Sequence, residues 1–143
     1  MANTQLSDTI HVLAYISYFS GQKITSQEMA SSIQTSASLV RKIMASLKQT
    51  GLLKQGHGTT NLALARDAAE ITVRDIYRSL PQQELFHVDQ KTSSTCPVGA
   101  AIPPVLDHYY MEIQAAAEAK MARISLQDIM NDIDLQAQLT EKL

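Results

Sequence analysis

The chain has one cysteine, Cys96, in 143 residues. That excludes a disulfide within a chain, and it excludes a multi-cysteine zinc or iron–sulfur site within a chain. A reduced, cytoplasmic setting is the default that follows. Long apolar runs are missing too. No segment approaches the roughly 20 residues that a membrane-spanning helix needs, so no membrane partner is expected. The opening Met1-Ala2-Asn3-Thr4 lacks a basic stretch, and no signal peptide is expected. There is no Gly-rich phosphate loop, no Ser/His/Asp set and no pair of carboxylates spaced for acid–base work. An enzyme is therefore not expected; one built on Cys96 would lack an evident partner base. The chain shows no internal repeat and no low-complexity stretch.

What is present reads as one soluble globular domain, or one domain plus a dimerisation arm: 45% of residues are hydrophobic and 18% charged. A chain of this length buries roughly two-thirds of its unfolded surface and needs no staple. The formal net charge of −2 hides an asymmetry. Residues 1–80 carry eight Lys/Arg against five Asp/Glu, whereas residues 81–143 carry four against nine. Between 23 and 66, Lys23, Arg41, Lys42, Lys48, Lys54 and Arg66 stand against Glu28 alone. A basic first part beside an acidic second part points to a polyanionic partner for the first.

Apolar periodicity predicts a first helix over 4–20, ended by Gly21. Thr25-Ser26-Gln27-Glu28 is a capping box for a short second helix with Met29, Ala30 and Ile33 inside. Gln34-Thr35-Ser36 is a turn and a new cap. A third helix follows to about Thr50, with Val40, Ile43, Met44 and Leu47 inward and Ser38, Arg41, Lys42, Ala45 and Lys48 outward. Leu52–Gln55 and Asn61–Leu64 read as two short strands around the turn Gly56-His57-Gly58-Thr59-Thr60. Three helices and a hairpin in this order are the order of a winged helix-turn-helix. Thr72-Val73-Arg74-Asp75 caps a further helix through Leu80. Residues 81–101 lack periodicity and read as a loop around Cys96. Pro103-Pro104 marks the expected start of a long helix. There Val105, Leu106, Tyr109, Ile113, Ala116, Ala117, Met121 and Ile124 keep a helical period. Ser125 caps a last helix that buries Leu126, Ile129, Met130 and Ile133.

The third helix has the make-up of a recognition helix. Its inner face fixes it; short Ser36 and Ser38 let its backbone approach a groove, and Arg41, Lys42 and Lys48 can meet phosphates. Any surface helix also carries charge, so its capped neighbour and the hairpin decide between the readings. The hairpin tip around His57 is either a wing touching the minor groove or an ordinary turn. Tyr109 and Tyr110 lie on neighbouring faces of the long helix. Dimerisation through it would bury that breadth and match a palindromic operator, whereas packing inside a monomer is the plainer reading. Cys96, just before that helix, is either a thiol activated by the helix dipole or a packed small residue. His11, His87 and His108 with Cys96 match no metal-ligand spacing, and no metal is expected.

Taken together, the residues resemble the Rrf-two family of bacterial winged helix-turn-helix regulators, nearly end to end. The resemblance is carried by Ile10-His11-Val12-Leu13, Ile24 to Ala30, Val40 to Met44, Leu47 to Leu53, Leu64-Ala65-Arg66, Glu70 to Tyr77, and Cys96-Pro97-Val98-Gly99 with Leu106 and the long helix. It implies a homodimer with crossing long helices, a third helix in the major groove and a wing near the minor groove. By position it implies that Ser36, Ser38, Arg41 and Lys42 are recognition-helix contacts, Gln27 and Thr35 backbone contacts, and His57 and Thr59 wing contacts. Two departures stand out. Cluster-binding members carry three cysteines before the long helix where this chain has one, so no iron–sulfur cofactor is expected. Where members often have Gly-Gly before the returning strand, this chain has Thr60-Asn61.

The expectation is a mainly α protein. Residues 1–80 form a winged helix-turn-helix domain with a small β-hairpin wing, 81–101 a sensor loop with Cys96, and 102–143 dimerisation helices that meet through Tyr109, Tyr110, Ile113 and Ala117. The expected function is a dimeric, sequence-specific regulator of double-stranded DNA, a repressor, switched by oxidation of Cys96. The alternatives are a small-molecule-responsive regulator without redox chemistry and a protein-interaction module.

Overall fold

Four helices start where a side-chain oxygen closes on its own backbone. The computed structural model describes residues 4–55 and 62–142. In it Thr25, Thr72 and Ser125 each accept the amide three residues on, and Glu28, Asp75 and Asp128 reach back to the cap amides. Ser36 accepts from the Leu39 amide at 3.2 Å. Such caps contribute about 1 kcal/mol each. They set the starts of α2 (Ser26–Ile33), α3 (Ala37–Gln49), α4 (Val73–Arg78) and α6 (Leu126–Glu141).

Helix α1 (Gln5–Tyr18) is the spine of the first domain. Helices α2, α3, α4 and α6 and one hairpin strand pack on it. Its Val12, Leu13 and Ile16 join Met29, Val40, Leu47, Leu52, Ile71 and Ile76 in one continuous core. Between α2 and α3 the chain turns through Gln34, which holds a left-handed φ of 62°. The Thr35 amide bonds the Ala30 carbonyl at 3.0 Å there. After α3, Gly51 (φ +80°) makes the left-handed exit that an L side chain resists. Strands β1 (Leu53–Gln55) and β2 (Leu62–Leu64) pair antiparallel, with Leu53 opposite Leu64. The expected wing turn, with His57 and Thr59, lies outside the described residues. A 3-10 turn (Ala68–Glu70) leads into α4.

The long helix, α5, runs from Pro97 to Met121 and so begins six residues before the expected Pro103. Pro97 occupies the first turn, where a missing N–H costs nothing. Pro103 and Pro104 lie inside the helix instead. Pro103 cannot bond the carbonyl four residues back, that of Gly99. The Thr92 hydroxyl donates to that carbonyl at 2.5 Å, so it keeps a partner. The segment 81–96 is thus a strap lying along α5. At Gly99 it comes so near that an added Cβ would sit 2.8 Å from the Ser93 carbonyl oxygen.

The boundary expected at residue 102 is crossed by α6. Backbone bonds Val73 N to Ile124 O (2.8 Å) and Leu126 N to Ile71 O (2.7 Å) stitch its start to the segment before α4. Leu126 is fully buried and Met130 nearly so. The first turns of α6 therefore complete the winged core. Its outer half leaves Ile133, Leu135 and Leu139 exposed.

Candidate nucleic-acid interface

Helix α3 divides cleanly into two faces. Val40 and Leu47 are buried, with Ile43 and Met44 half-buried beside them. Ser38, Arg41, Lys42, Ala45 and Lys48 are exposed. Among the described residues neither Arg41 nor Lys42 has an acidic partner. The nearest acid in sequence, Glu28, spends an oxygen on the Thr25 amide at 3.1 Å. The outer face is therefore an uncompensated cationic patch.

Ser36 and Ser38 sit at the α3 N-terminus, where backbone amides point outward and the dipole favours an anion. Ser36 accepts from Leu39 through its oxygen, and its hydroxyl proton stays available to a phosphate. Gln27 is exposed in the first turn of α2, while Thr35 is half-buried in the turn between the helices. Lys48 stands apart from Arg41 and Lys42, about 9 Å further along the axis by helical rise. Its ammonium donates to Gln55 Oε1 at 3.2 Å, which sets it against the last residue of β1. A link not foreseen from sequence ties the outer helix to the rest: Ser46 Oγ donates to the Ser79 carbonyl at the end of α4 (2.8 Å).

Helix α5 is nearly bare. Pro103 is its one buried residue, and among the helices it packs chiefly on α4. Val98 (67% exposed), Val105 (48%), Tyr109 (56%) and Ile113 (46%) follow one another at helical spacing along a single face, with Ile102 among them. Sequence periodicity places Tyr109 and Ile113 there but misses Val98 and Ile102, which precede the expected start at Pro103. Ala117 is half-buried. Tyr110 turns the other way, onto the strap, with its ring centroid 5.5 Å from that of Phe86. It is a contact within the chain.

The opposite face of α5, which also carries Tyr110, holds the arm to the domain through polar side chains. Gln114 accepts the Leu85 amide at 3.0 Å and donates to the Tyr77 hydroxyl (2.9 Å) and the Gln83 carbonyl (3.0 Å). Glu118 pairs with Arg78 at 3.1 Å and Arg74 at 3.7 Å. The Gln114 hydrogen bond does most to hold the Glu118 carboxyl below its ordinary pKa; burial opposes it, and Arg78 and then Arg74 each add a lesser lowering. Sequence reasoning missed both residues; their spacing of four, on the side of the helix away from Val105, Tyr109 and Ile113, was the available signal.

Cys96 is the N-cap of α5 and is exposed. Its own amide donates to Ser93 Oγ at 3.3 Å. The Gly99 and Val98 amides lower the thiol pKa below its ordinary value. This is a helix N-terminus favouring the thiolate. No helix among the described residues is long and apolar enough to cross a membrane.

The chain matches, over residues 2–132, the family model Rrf2, described as "Iron-dependent Transcriptional regulator". It is 34% identical over 134 residues to YwnA of Bacillus subtilis (strain 168), classed as an HTH-type transcriptional regulator; the match covers 93% of this chain and 99% of that one. A crystal structure described as a DNA-binding protein shares 30% identity, with a TM-score of 0.73 over 88% of this chain and 98% of its own. CymR, the global cysteine regulator of B. subtilis, shares the fold at 16% identity and a TM-score of 0.66, over 92% and 96% of the two chains. The iron in the family description finds no donor set among the described residues. A chain with one thiol cannot supply the cysteines of a cluster, and no three His, Cys, Asp or Glu side chains converge among the described residues.

Proposed function

The chain belongs to the Rrf2 family of transcriptional regulators, and from that premise we propose that it is a homodimeric, sequence-specific repressor that reads DNA with α3. As a member it is a DNA-binding regulator and not an enzyme. The observation that carries the finer reading is the cationic outer face of α3, where Arg41 and Lys42 have no acidic neighbour among the described residues. Phosphate contacts supply most of the affinity of such proteins, and base-edge contacts supply the selection. In this reading Ser36, Ser38, Arg41 and Lys42 enter the major groove. Gln27 and Thr35 touch the backbone of the DNA, and Lys48 follows the groove towards the wing. The wing residues His57 and Thr59 keep their expected minor-groove role as part of the proposal.

Dimerisation is supported by the apolar face of α5. A 25-residue helix with one buried residue leaves an apolar stripe in water, and a second copy crossing it would bury that stripe. Two-fold pairing also gives two recognition helices, suited to a palindromic operator. Binding there would block transcription sterically, in the cytoplasm where the DNA lies.

Cys96 is the proposed thiol switch. A sulfenate or a bridge to a second copy would change charge and bulk at the first turn of α5, beside Val98 on the apolar face. The bonds from Gln114 to the Tyr77 hydroxyl, and from Ser46 Oγ to the Ser79 carbonyl, offer a route between that arm and α3. The test measures affinity for a DNA fragment selected by this protein, with and without a disulfide-forming oxidant, for wild type and Cys96→Ser. Loss of affinity only in oxidised wild type is the expected result; equal behaviour of the two proteins overturns the switch. A small-molecule effector is the second reading, favoured by a cavity beside α5.

A further inference from the structure

Between residues 84–90 of the strap and α5 lies an open cavity of about 520 Å³. That is the size of sites for drug-sized ligands. Its lining is aromatic and acidic. The Phe86 and Tyr110 rings, tilted 49° to each other, form the apolar wall, and Met111 extends it. Three carboxylates line it, and no Lys or Arg does. Two of them are engaged: Glu118 by Arg78 and Arg74, and Glu84 by His87 at 3.2 Å. Asp107 has no hydrogen-bond or ion-pair partner among the described residues. The cavity therefore offers one unpaired carboxylate and two aromatic rings, whose faces carry negative charge through their quadrupoles.

An anion entering this space would lose hydration against negative groups. A neutral apolar molecule would gain the ring contacts and leave Asp107 unused. A cation with an apolar body gains both, because its charge is attracted to ring faces and to the carboxylate together. The position on α5 also matters. Asp107, Tyr110 and Gln114 succeed one another along the face turned to the strap, opposite the stripe of Val105, Tyr109 and Ile113. A second copy seated on that stripe leaves the cavity open to solvent.

We infer that this cavity is a binding site for a lipophilic organic cation, of the quaternary ammonium, phosphonium or protonated aromatic amine class. The ligand would clamp the strap on α5. The strap runs on to the Thr92–Gly99 bond and to Cys96, so its position is coupled to the start of the long helix. The effector role of such a ligand rests on the regulator reading above; the binding site itself does not.

The test titrates the full chain calorimetrically with tetraphenylphosphonium and, separately, with tetraphenylborate, an anion of nearly the same shape. Saturable binding of the phosphonium, at least tenfold tighter than the borate, is expected. Asp107→Asn should weaken the phosphonium by about tenfold, and Phe86→Leu, which removes the ring but keeps an apolar side chain, by several-fold. Both side chains are exposed, so neither change should impair folding. Equal affinity for the two ions, no phosphonium binding, or indifference to Asp107→Asn overturns the site. DNA affinity measured with saturating phosphonium then tests the effector role: a change that Asp107→Asn abolishes supports it, and no change overturns it. Failure of wild type to bind any DNA would instead fall on the regulator reading and leave the cation site standing.

Discussion

Arg41 and Lys42 project from α3 without acidic neighbours among the described residues, and this is what makes them free to meet phosphate. Replacing both with Ala should leave stability within about 0.5 kcal/mol, as for exposed sites elsewhere. Fluorescence anisotropy on a selected DNA fragment should show weaker binding. The log–log salt slope should be smaller by about 0.9 for each phosphate that the variant no longer neutralises. Cys96 makes a second prediction. Amides at the start of α5 lower its pKa, so the folded protein should be alkylated at lower pH than an ordinary thiol. Urea should move the half-point of the iodoacetamide rate profile back up; a profile unchanged by unfolding contradicts the amide contribution. Gly99 makes a third. Ala there would bring Cβ within 2.8 Å of a backbone oxygen, and the strap must shift. Gly99→Ala should cost about 1 kcal/mol and speed protease nicking between residues 85 and 96. At this scale the caps Thr25, Ser36, Thr72 and Ser125 were legible, because each works through residues three apart. Gln114 and Glu118 were not, because their partners come from α4 and from a strap with no periodicity.

Between elements, the joint of α4 to α5 turns on Glu118, which faces Arg78 and Arg74. Its folded pKa lies below its unfolded value, so its contribution is complete above the ordinary carboxylate pKa and is lost as pH falls through the folded one. Melting curves of wild type and Glu118→Gln should therefore differ near neutral pH and converge in acid, as pH falls through the lowered folded pKa. A constant gap down to strong acid would contradict a stabilising Glu118 carboxylate, held by the Gln114 hydrogen bond first and by Arg78 and Arg74 after it. The elements of the winged domain followed their sequence patterns closely. The long helix did not: Pro103-Pro104 reads as a start, yet the helix runs through both, and the Thr92 hydroxyl that partners the Gly99 carbonyl is a contact across seven residues with no sequence signature. Likewise α6 has an amphipathic pattern that specifies burial but not against what; its partners are α1 and the segment before α4.

Over the whole molecule, the uneven charge of the chain maps onto two working parts. The basic share lies in the winged domain and the acidic share in the strap and the last two helices. Acidic residues kept away from the proposed reading face of α3 spare it from competition with phosphate. The exposed stripe on α5 belongs to this scale too. Tyr109→Glu with Ile113→Glu should give a folded monomer by sedimentation velocity, since both side chains lie outside the core, and DNA affinity should drop with it. A charged pair there that leaves a dimer intact would move the interface elsewhere. The central claim is that two copies, joined along α5, read DNA through the outer face of α3. It is tested most directly by titrating a selected operator fragment with wild type and with the Arg41→Ala, Lys42→Ala double variant across a range of salt. The account predicts two chains bound per operator, steep salt dependence for wild type, and a weaker, shallower curve for the double variant. Equal affinity and equal slope for the two proteins would contradict it.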